Sequence, residues 1–340
     1  MTHRLAVIQP RRCADLVANT LEPSAAALFE NWRKRLDGRL PEYDPALHRR
    51  VLTAYVEYLC GLLCRAGELG CHLVLLPEGT LPVGNPYPAG RQNLVQACQE
   101  AEPLWLERTA PIARKYGMLI ASCYYRVEEG RLYNDGVLMD ERGEVAGIYH
   151  KVHLPCGLDW ELTEAGLFTA GNEYPVFQTK VGRVGFQICY DIDFPEGCRC
   201  LALNGAQVIL HPTVGYAFPD EEEVVAEARL RTRATDNSVV VAYANFGPSP
   251  GRSAIYTANG NQAACCGRGV DQIAFADVDV EGPRVQVWPS CTHDHREHLL
   301  RKRRPDTYGV LVETRPPALA RGDEPAAHPL YEYPQEVGLP

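Results

Sequence analysis

Three polar side chains interrupt or directly follow strongly apolar segments of this sequence. Glu78 comes after His72-Leu73-Val74-Leu75-Leu76-Pro77, Lys151 after the run from Glu144 to His150, and Cys189 after Gly185-Phe186-Gln187-Ile188. Burying any one of them alone is unfavourable because an isolated polar or charged group loses its hydration, whereas together they offset one another. A thiolate is the best side-chain nucleophile near neutral pH, and it forms when a base, a cation or a helix N-terminus stands close. A helix expected to start just after Cys189 would supply the last of these. Lys151 could supply the cation and also point its ammonium at the oxygen of a tetrahedral intermediate, beside the backbone N–H of Tyr190. Glu78 would take the thiol proton and pass it to a departing amine. Taken singly, each residue has a plainer explanation, as a core thiol, a capping carboxylate or a solvated lysine. Their conjunction at three strand ends points to a site.

The elements that must position them follow from periodicity. Leu5 to Gln9 reads as a strand ended by Pro10, and helical spacing from Asp44 to about Leu69 includes Leu47, Val51, Leu52, Tyr55, Val56, Leu59, Leu62 and Leu63. His72 to Leu76 suits a strand buried on both faces. Leu104 to Tyr116 reads as helix and Met118 to Ser122 as strand. A hairpin from Tyr133 to Tyr149 turns at Glu141-Arg142-Gly143, and a second, Tyr174 to Thr179 with Arg183 to Ile188, delivers Cys189. Pro195 suits the first position of a helix running to Asn204-Gly205. Strand, helix and strand follow at Gln207 to Leu210, Glu221 to Asn237 and Val239 to Ala244. The class is α/β with a strong antiparallel component.

Composition narrows the function. The chain has 340 residues, 46% apolar, with a formal net charge of -9, a balance that disfavours nucleic acid and anionic membrane as partners. No window approaches the ~18 uninterrupted apolar residues of a membrane span, and Met1-Thr2-His3-Arg4 leads into a strand rather than a signal peptide, so a cytoplasmic location is expected. The thirteen cysteines are odd in number and scattered through apolar segments, which argues for reduced thiols. Cys198 with Cys200, and Cys265-Cys266, lack zinc spacing. The run Cys291-Thr292-His293-Asp294-His295-Arg296-Glu297-His298 is the better metal candidate, but without a second ligand cluster it reads as a polar loop entering a helix or an oligomer contact. No metal is expected.

Leu75-Leu76-Pro77-Glu78, His150-Lys151-Val152-His153-Leu154-Pro155 and Gly185-Phe186-Gln187-Ile188-Cys189-Tyr190-Asp191-Ile192-Asp193-Phe194-Pro195-Glu196 resemble, in order and spacing, the three signatures of the nitrilase (carbon-nitrogen hydrolase) superfamily. The resemblance runs from about Leu5 to Tyr308 and includes Tyr133-Asn134, His211-Pro212-Thr213 and Arg303-Arg304-Pro305-Asp306-Thr307-Tyr308. It implies an αββα four-layer sandwich that dimerises through its helices into αββααββα, without cofactor or metal. It also implies a second glutamate that positions the substrate amide, for which Glu164 is the favoured counterpart and Glu161 the alternative. The expected organisation is one hydrolase domain over 1–316, with an insertion at about 20–44 and a Pro- and Ala-rich tail over 317–340 as an extended arm or disorder.

Members that cleave nitriles typically carry Trp-Glu after the nucleophile, so Cys189-Tyr190-Asp191 resembles the amidase branches instead. The expected activity is hydrolysis of a linear amide or N-carbamoyl compound through a Cys189 thioester, releasing ammonia or amine. The alternatives are a nitrilase and, in a different class, a silent binding module on the same fold. Tyr190, Asp193 and Thr213 are the expected substrate-lining residues. Asp193 stands where several ω-amidase-like members carry arginine; an acid there would favour a neutral or cationic substrate, unless Asp193 caps the following helix. His153 is a competing base, as in a Cys-His hydrolase of the papain kind, two residues from Lys151 on the same side of an extended segment. The expected partners are a small amide, carbamoyl or nitrile substrate and a second copy of the chain, as homodimer or higher homo-oligomer.

Overall fold

A computed structural model describes residues 2–13, 15–16, 44–81, 91–155, 164–214, 220–248, 251–281, 285–288 and 291–313. The insertion, most of the loop from Leu81 to Asn93, Glu161 and the tail beyond Pro316 fall outside the described residues.

The first half of the chain gives β1 (Thr2–Gln9), α1 (Pro45–Glu68), β2 (Leu73–Leu75), α2 (Arg91–Tyr116), β3 (Leu119–Glu128), β4 (Arg131–Met139) and β5 (Val145–His150). The second half gives α3 (Glu164–Leu167), β6 (Phe177–Thr179), β7 (Gly182–Phe186), α4 (Pro195–Leu203), β8 (Val208–Pro212), α5 (Asp220–Asn237), β9 (Val240–Ala244), β10 (Ala254–Tyr256), β11 (Gln262–Cys265) and β12 (Gln272–Asp279). Two mixed six-stranded sheets result, ordered β12-β1-β2-β3-β4-β5 and β11-β10-β9-β8-β7-β6. Strands β1, β2 and β3 are parallel, as are β7, β8 and β9, and antiparallel strands flank both sets.

Side-chain alternation builds the layers. In β1, Leu5 and Val7 join β7 and β8 side chains such as Val184, Phe186 and Leu210 in a core between the sheets. Ala6 and Ile8, on the opposite face, pack with Val51, Leu52, Val56 and Leu63 of α1. Across the second sheet, Ile209 and Val241 pack with Cys198 and Leu201 of α4 and with Leu230 and Ala234 of α5. Three apolar layers separate four structural ones, which is the αββα sandwich. Central strands buried on both faces must be apolar at every position, which is why β1 and β2 read as unbroken runs rather than alternations.

Asp44 caps α1 by accepting from the N–H groups of Ala46 and Leu47. Helix α2 begins thirteen residues earlier than the expected Leu104 and carries Pro103 and Pro111 within it. Pro103 mimics a helix start in sequence, but buried Leu94, Ala97, Cys98 and Ala101 form a stripe at helical spacing that carries the helix through. The Cys291–Asp294 segment is a strand, and the Asp294 carboxylate caps the helix His295–Arg301 by accepting from the N–H of Glu297.

The two sheets approach closely at Gly136 of β4, where a Cβ would lie 2.7 Å from the ring of Phe186 in β7. We expect Gly136→Ala to destabilise the fold by about 1–3 kcal/mol, the usual range for overpacking a core. A urea midpoint unchanged from wild type would show that the sheets separate easily.

Candidate active site

Four strand ends meet at one edge of the paired sheets. Glu78 follows β2, Lys151 follows β5, Cys189 follows β7 and Thr213 follows β8. The Lys151 side chain has no solvent exposure, and its Nζ donates at 2.8 Å to Glu78 Oε1 and at 2.8 Å to Glu164 Oε2. Two of three ammonium protons are thereby used, leaving one for another acceptor. Burial disfavours the charged ammonium, yet the carboxylates of Glu164 and Glu78 outweigh it and hold the lysine well above its ordinary range. Glu164, which opens α3, is pushed up by burial, while Lys151 pulls it down and the charge of Glu78 pushes it up again.

Glu78 is fixed from three directions. Its Oε1 also accepts from Asn134 Nδ2 at 2.8 Å, and its Oε2 accepts from the backbone N–H of Val214 at 3.0 Å. Asn134 reaches Glu164 Oε2 as well, at 3.4 Å, and its own oxygen faces the Cys123 thiol at 3.4 Å, which sets the orientation of the amide.

Cys189 has φ +46, a left-handed conformation that is rare for a residue with a side chain and is found at turns that present reactive groups. It is half-buried. Burial first, then the charge of Glu78, push its thiol above the ordinary value, while Lys151 and a hydrogen bond from Thr213 act in the opposite sense. This differs from the sequence expectation of a thiolate stabilised by a helix N-terminus. A 3-10 turn, Cys189–Asp193, comes first, and α4 starts only at Pro195, so the helix dipole is displaced from the sulfur.

The other sequence candidates fall in distinct places. Thr213 is buried against Cys189. The ring of Tyr190 meets Phe194 edge-on at 5.2 Å. Asp193 pairs with Arg229 of α5 rather than capping α4, whose N-cap is Phe194 without a side-chain hydrogen bond. The capping expectation is therefore corrected, and the Arg229 guanidinium offsets the charge on which substrate selection by Asp193 was to rest. The His153 ring has Nδ1 at 2.9 Å from Asp191 Oδ1 and stacks on Phe194 at 3.8 Å, so it is engaged by residues other than the nucleophile. Asn134, Asp191 and the Val214 N–H were missed as functional candidates. A buried Asn134-Asp135 pair inside an otherwise apolar strand was the available signal for the first.

Among the described residues, Glu128, Asp135 and His150 bring potential metal-ligating atoms within 4.8 Å of one another. Arg126 Nη1 already lies 2.9 Å from Asp135 Oδ2 and 3.5 Å from Glu128 Oε2, so a guanidinium takes the place a cation would fill. No helix among the described residues is long and apolar enough to cross a membrane.

The sequence matches the family model described as carbon-nitrogen hydrolase over residues 4–288. A citrullinase from Francisella tularensis is 27% identical over 279 residues, covering 74% of this chain and 90% of its own length. An N-carbamoylputrescine amidase from Solanum tuberosum is 28% identical over 220 residues, covering 60% and 72%. The solved amidase from Nesterenkonia sp. superposes with a TM-score of 0.61 at 23% identity over 89% of this chain and 94% of that one. The C. elegans NitFhit protein gives a TM-score of 0.64 at 22% identity, over 90% and 66%. With a match over most of its length and this sandwich around Glu78, Lys151 and Cys189, the chain belongs to the carbon-nitrogen hydrolase family and is a hydrolase of non-peptide carbon-nitrogen bonds.

Proposed function

We propose that this protein is a cysteine amidase that cleaves a linear amide or N-carbamoyl compound through a Cys189 thioester, using neither metal nor cofactor. The observation that carries this reading is the buried Lys151 ammonium held by Glu78 and Glu164 beside the Cys189 turn.

In this reading, Cys189 Sγ attacks the carbonyl carbon while its proton passes to Glu78 Oε2, the oxygen not engaged by Lys151. The third ammonium proton of Lys151 donates to the developing oxyanion. Because Lys151 is already pinned by two carboxylates, it needs little reorganisation as that charge forms. Glu78 then gives its proton to the leaving nitrogen, the C–N bond breaks, and ammonia or amine departs. Water attacks the thioester with Glu78 again as base, and the thiol recovers its proton as the acid leaves. Glu164 orients the substrate N–H groups and keeps the lysine in place.

Two of the relatives are named for substrates that bear a carbamoyl group on nitrogen, citrulline and N-carbamoylputrescine, so ureido compounds come first among candidates. With Asp193 paired to Arg229, the substrate's net charge is left to other residues of the pocket. A second copy of the chain, packed through the helices, is the expected assembly.

Released ammonia measured over a panel of ureido compounds, amides and nitriles should show turnover of an amide or ureido member, abolished in Cys189→Ala. The wild-type enzyme should trap an acyl mass increment on that cysteine. Activity that survives the substitution would overturn the reading, and turnover of nitriles alone would make the protein a nitrilase. The raised thiol gives a further expectation. Without substrate, inactivation by iodoacetamide should keep rising about tenfold per pH unit between pH 7 and 9, because the reactive thiolate is the minor form throughout. A rate that levels off below pH 8 would mean a preformed thiolate and would remove the need for Glu78 to take the proton during attack.

A further inference from the structure

Asp191 is buried, and both of its carboxylate oxygens are fully engaged by donors from two separate segments. Oδ1 accepts from the backbone N–H of His153 at 2.8 Å and faces His153 Nδ1 at 2.9 Å. Oδ2 accepts from the Tyr149 hydroxyl at 2.8 Å and from the backbone N–H of Ile188 at 2.9 Å. The Tyr149 hydroxyl in turn accepts from the N–H of Val152 at 3.3 Å. The residues two before and two after Lys151 thus close on one carboxylate. So does the residue just before Cys189, and the carboxylate itself sits two residues after that cysteine.

We propose that Asp191 is a positioning residue for the reaction, clamping the lysine-bearing segment to the nucleophile turn so that the Lys151 ammonium and Cys189 Sγ keep one fixed spacing. The inference rests on the roles given above to Lys151 and Cys189. Its physical basis is that the two groups arrive from different sheets, Lys151 from the end of β5 and Cys189 from the end of β7. Packing between sheets is apolar and non-directional, so it does not by itself define a polar spacing to a fraction of an ångström. Four directional hydrogen bonds to one buried carboxylate do. A wholly local role, tightening the 3-10 turn Cys189–Asp193, needs only the bond from the Ile188 N–H. The other three bonds reach across to the lysine segment, and the clamp accounts for them.

Asp191→Asn keeps the volume but turns one acceptor into a donor that faces a backbone N–H, that of His153 or that of Ile188, so at least one of the four bonds is lost whichever way the amide sits. Single side-chain arms are removed by Tyr149→Phe and by His153→Phe, the second keeping a ring on Phe194 and the backbone N–H of residue 153 in place. With a substrate that wild type turns over, Asp191→Asn should lower kcat about 100-fold, the scale of an ångström's misplacement, with KM within about threefold of wild type when referred to the folded fraction. Each single-arm variant should lower kcat about 5- to 20-fold, and adding Tyr149→Phe to Asp191→Asn should cost little more, since coupled groups are non-additive. A folded Asp191→Asn enzyme with kcat within threefold of wild type, or a fully additive cycle, would overturn the clamp. If Asp191→Asn does not fold, the single-arm variants decide, and unchanged kcat in both would overturn it. Wild-type activity that survives Cys189→Ala would sink the reading of the site and the clamp with it. Activity lost in Cys189→Ala but indifferent to the clamp variants would sink the clamp alone.

Discussion

The candidate site is organised around one buried ammonium. A fully buried lysine is unfavourable unless its charge is paired and its protons are accepted, and a pair of carboxylates brought together is equally unfavourable without a cation between them. Lys151, Glu78 and Glu164 resolve both problems at once. The price is geometric, because three segments distant in sequence must end within hydrogen-bond reach of one nitrogen. The surrounding polar groups follow from that demand. Asn134 bridges the two carboxylates from β4, and the Val214 N–H holds the far oxygen of Glu78.

Cys189 is held by different means. Its backbone is bent into a left-handed conformation, which turns the side chain away from the strand direction of β7. Burial and the neighbouring carboxylate push its thiol above the ordinary value, which is why the proposed mechanism has Glu78 take the proton during attack.

The resemblance to solved amidases at 22–23% identity is one of fold. The Asp193–Arg229 pair sits beside the nucleophile turn, and Arg233 of α5 donates to the Ile192 carbonyl, so the outer helix layer braces the turn from behind. Substitutions on that helix can therefore reach the site without touching substrate.

Much of this was legible in the sequence. Unbroken apolar runs at β1 and β2, the helical spacing of α1 and the hairpins around Gly143 and Gly182 gave most of the element order as far as β9, because burial and turn chemistry are local constraints, whereas α3 and the short strands β10 to β12 were not read. The three strand-end residues stood out for the same reason, as polar groups where only apolar ones are expected. The start of α2 was misread because a proline is a local signal, while the stripe that overrides it draws its stability from the sheet it packs on. The pairing of Asp193 with Arg229 rather than a helix end, the engagement of His153 by Asp191 and Phe194, and the bridging role of Asn134 were decided only by the tertiary structure. Sequence determines which groups must be buried and on which face of a strand or helix they emerge. Which partner each buried group meets depends on how two sheets align across an apolar core, and no local pattern encodes that distance.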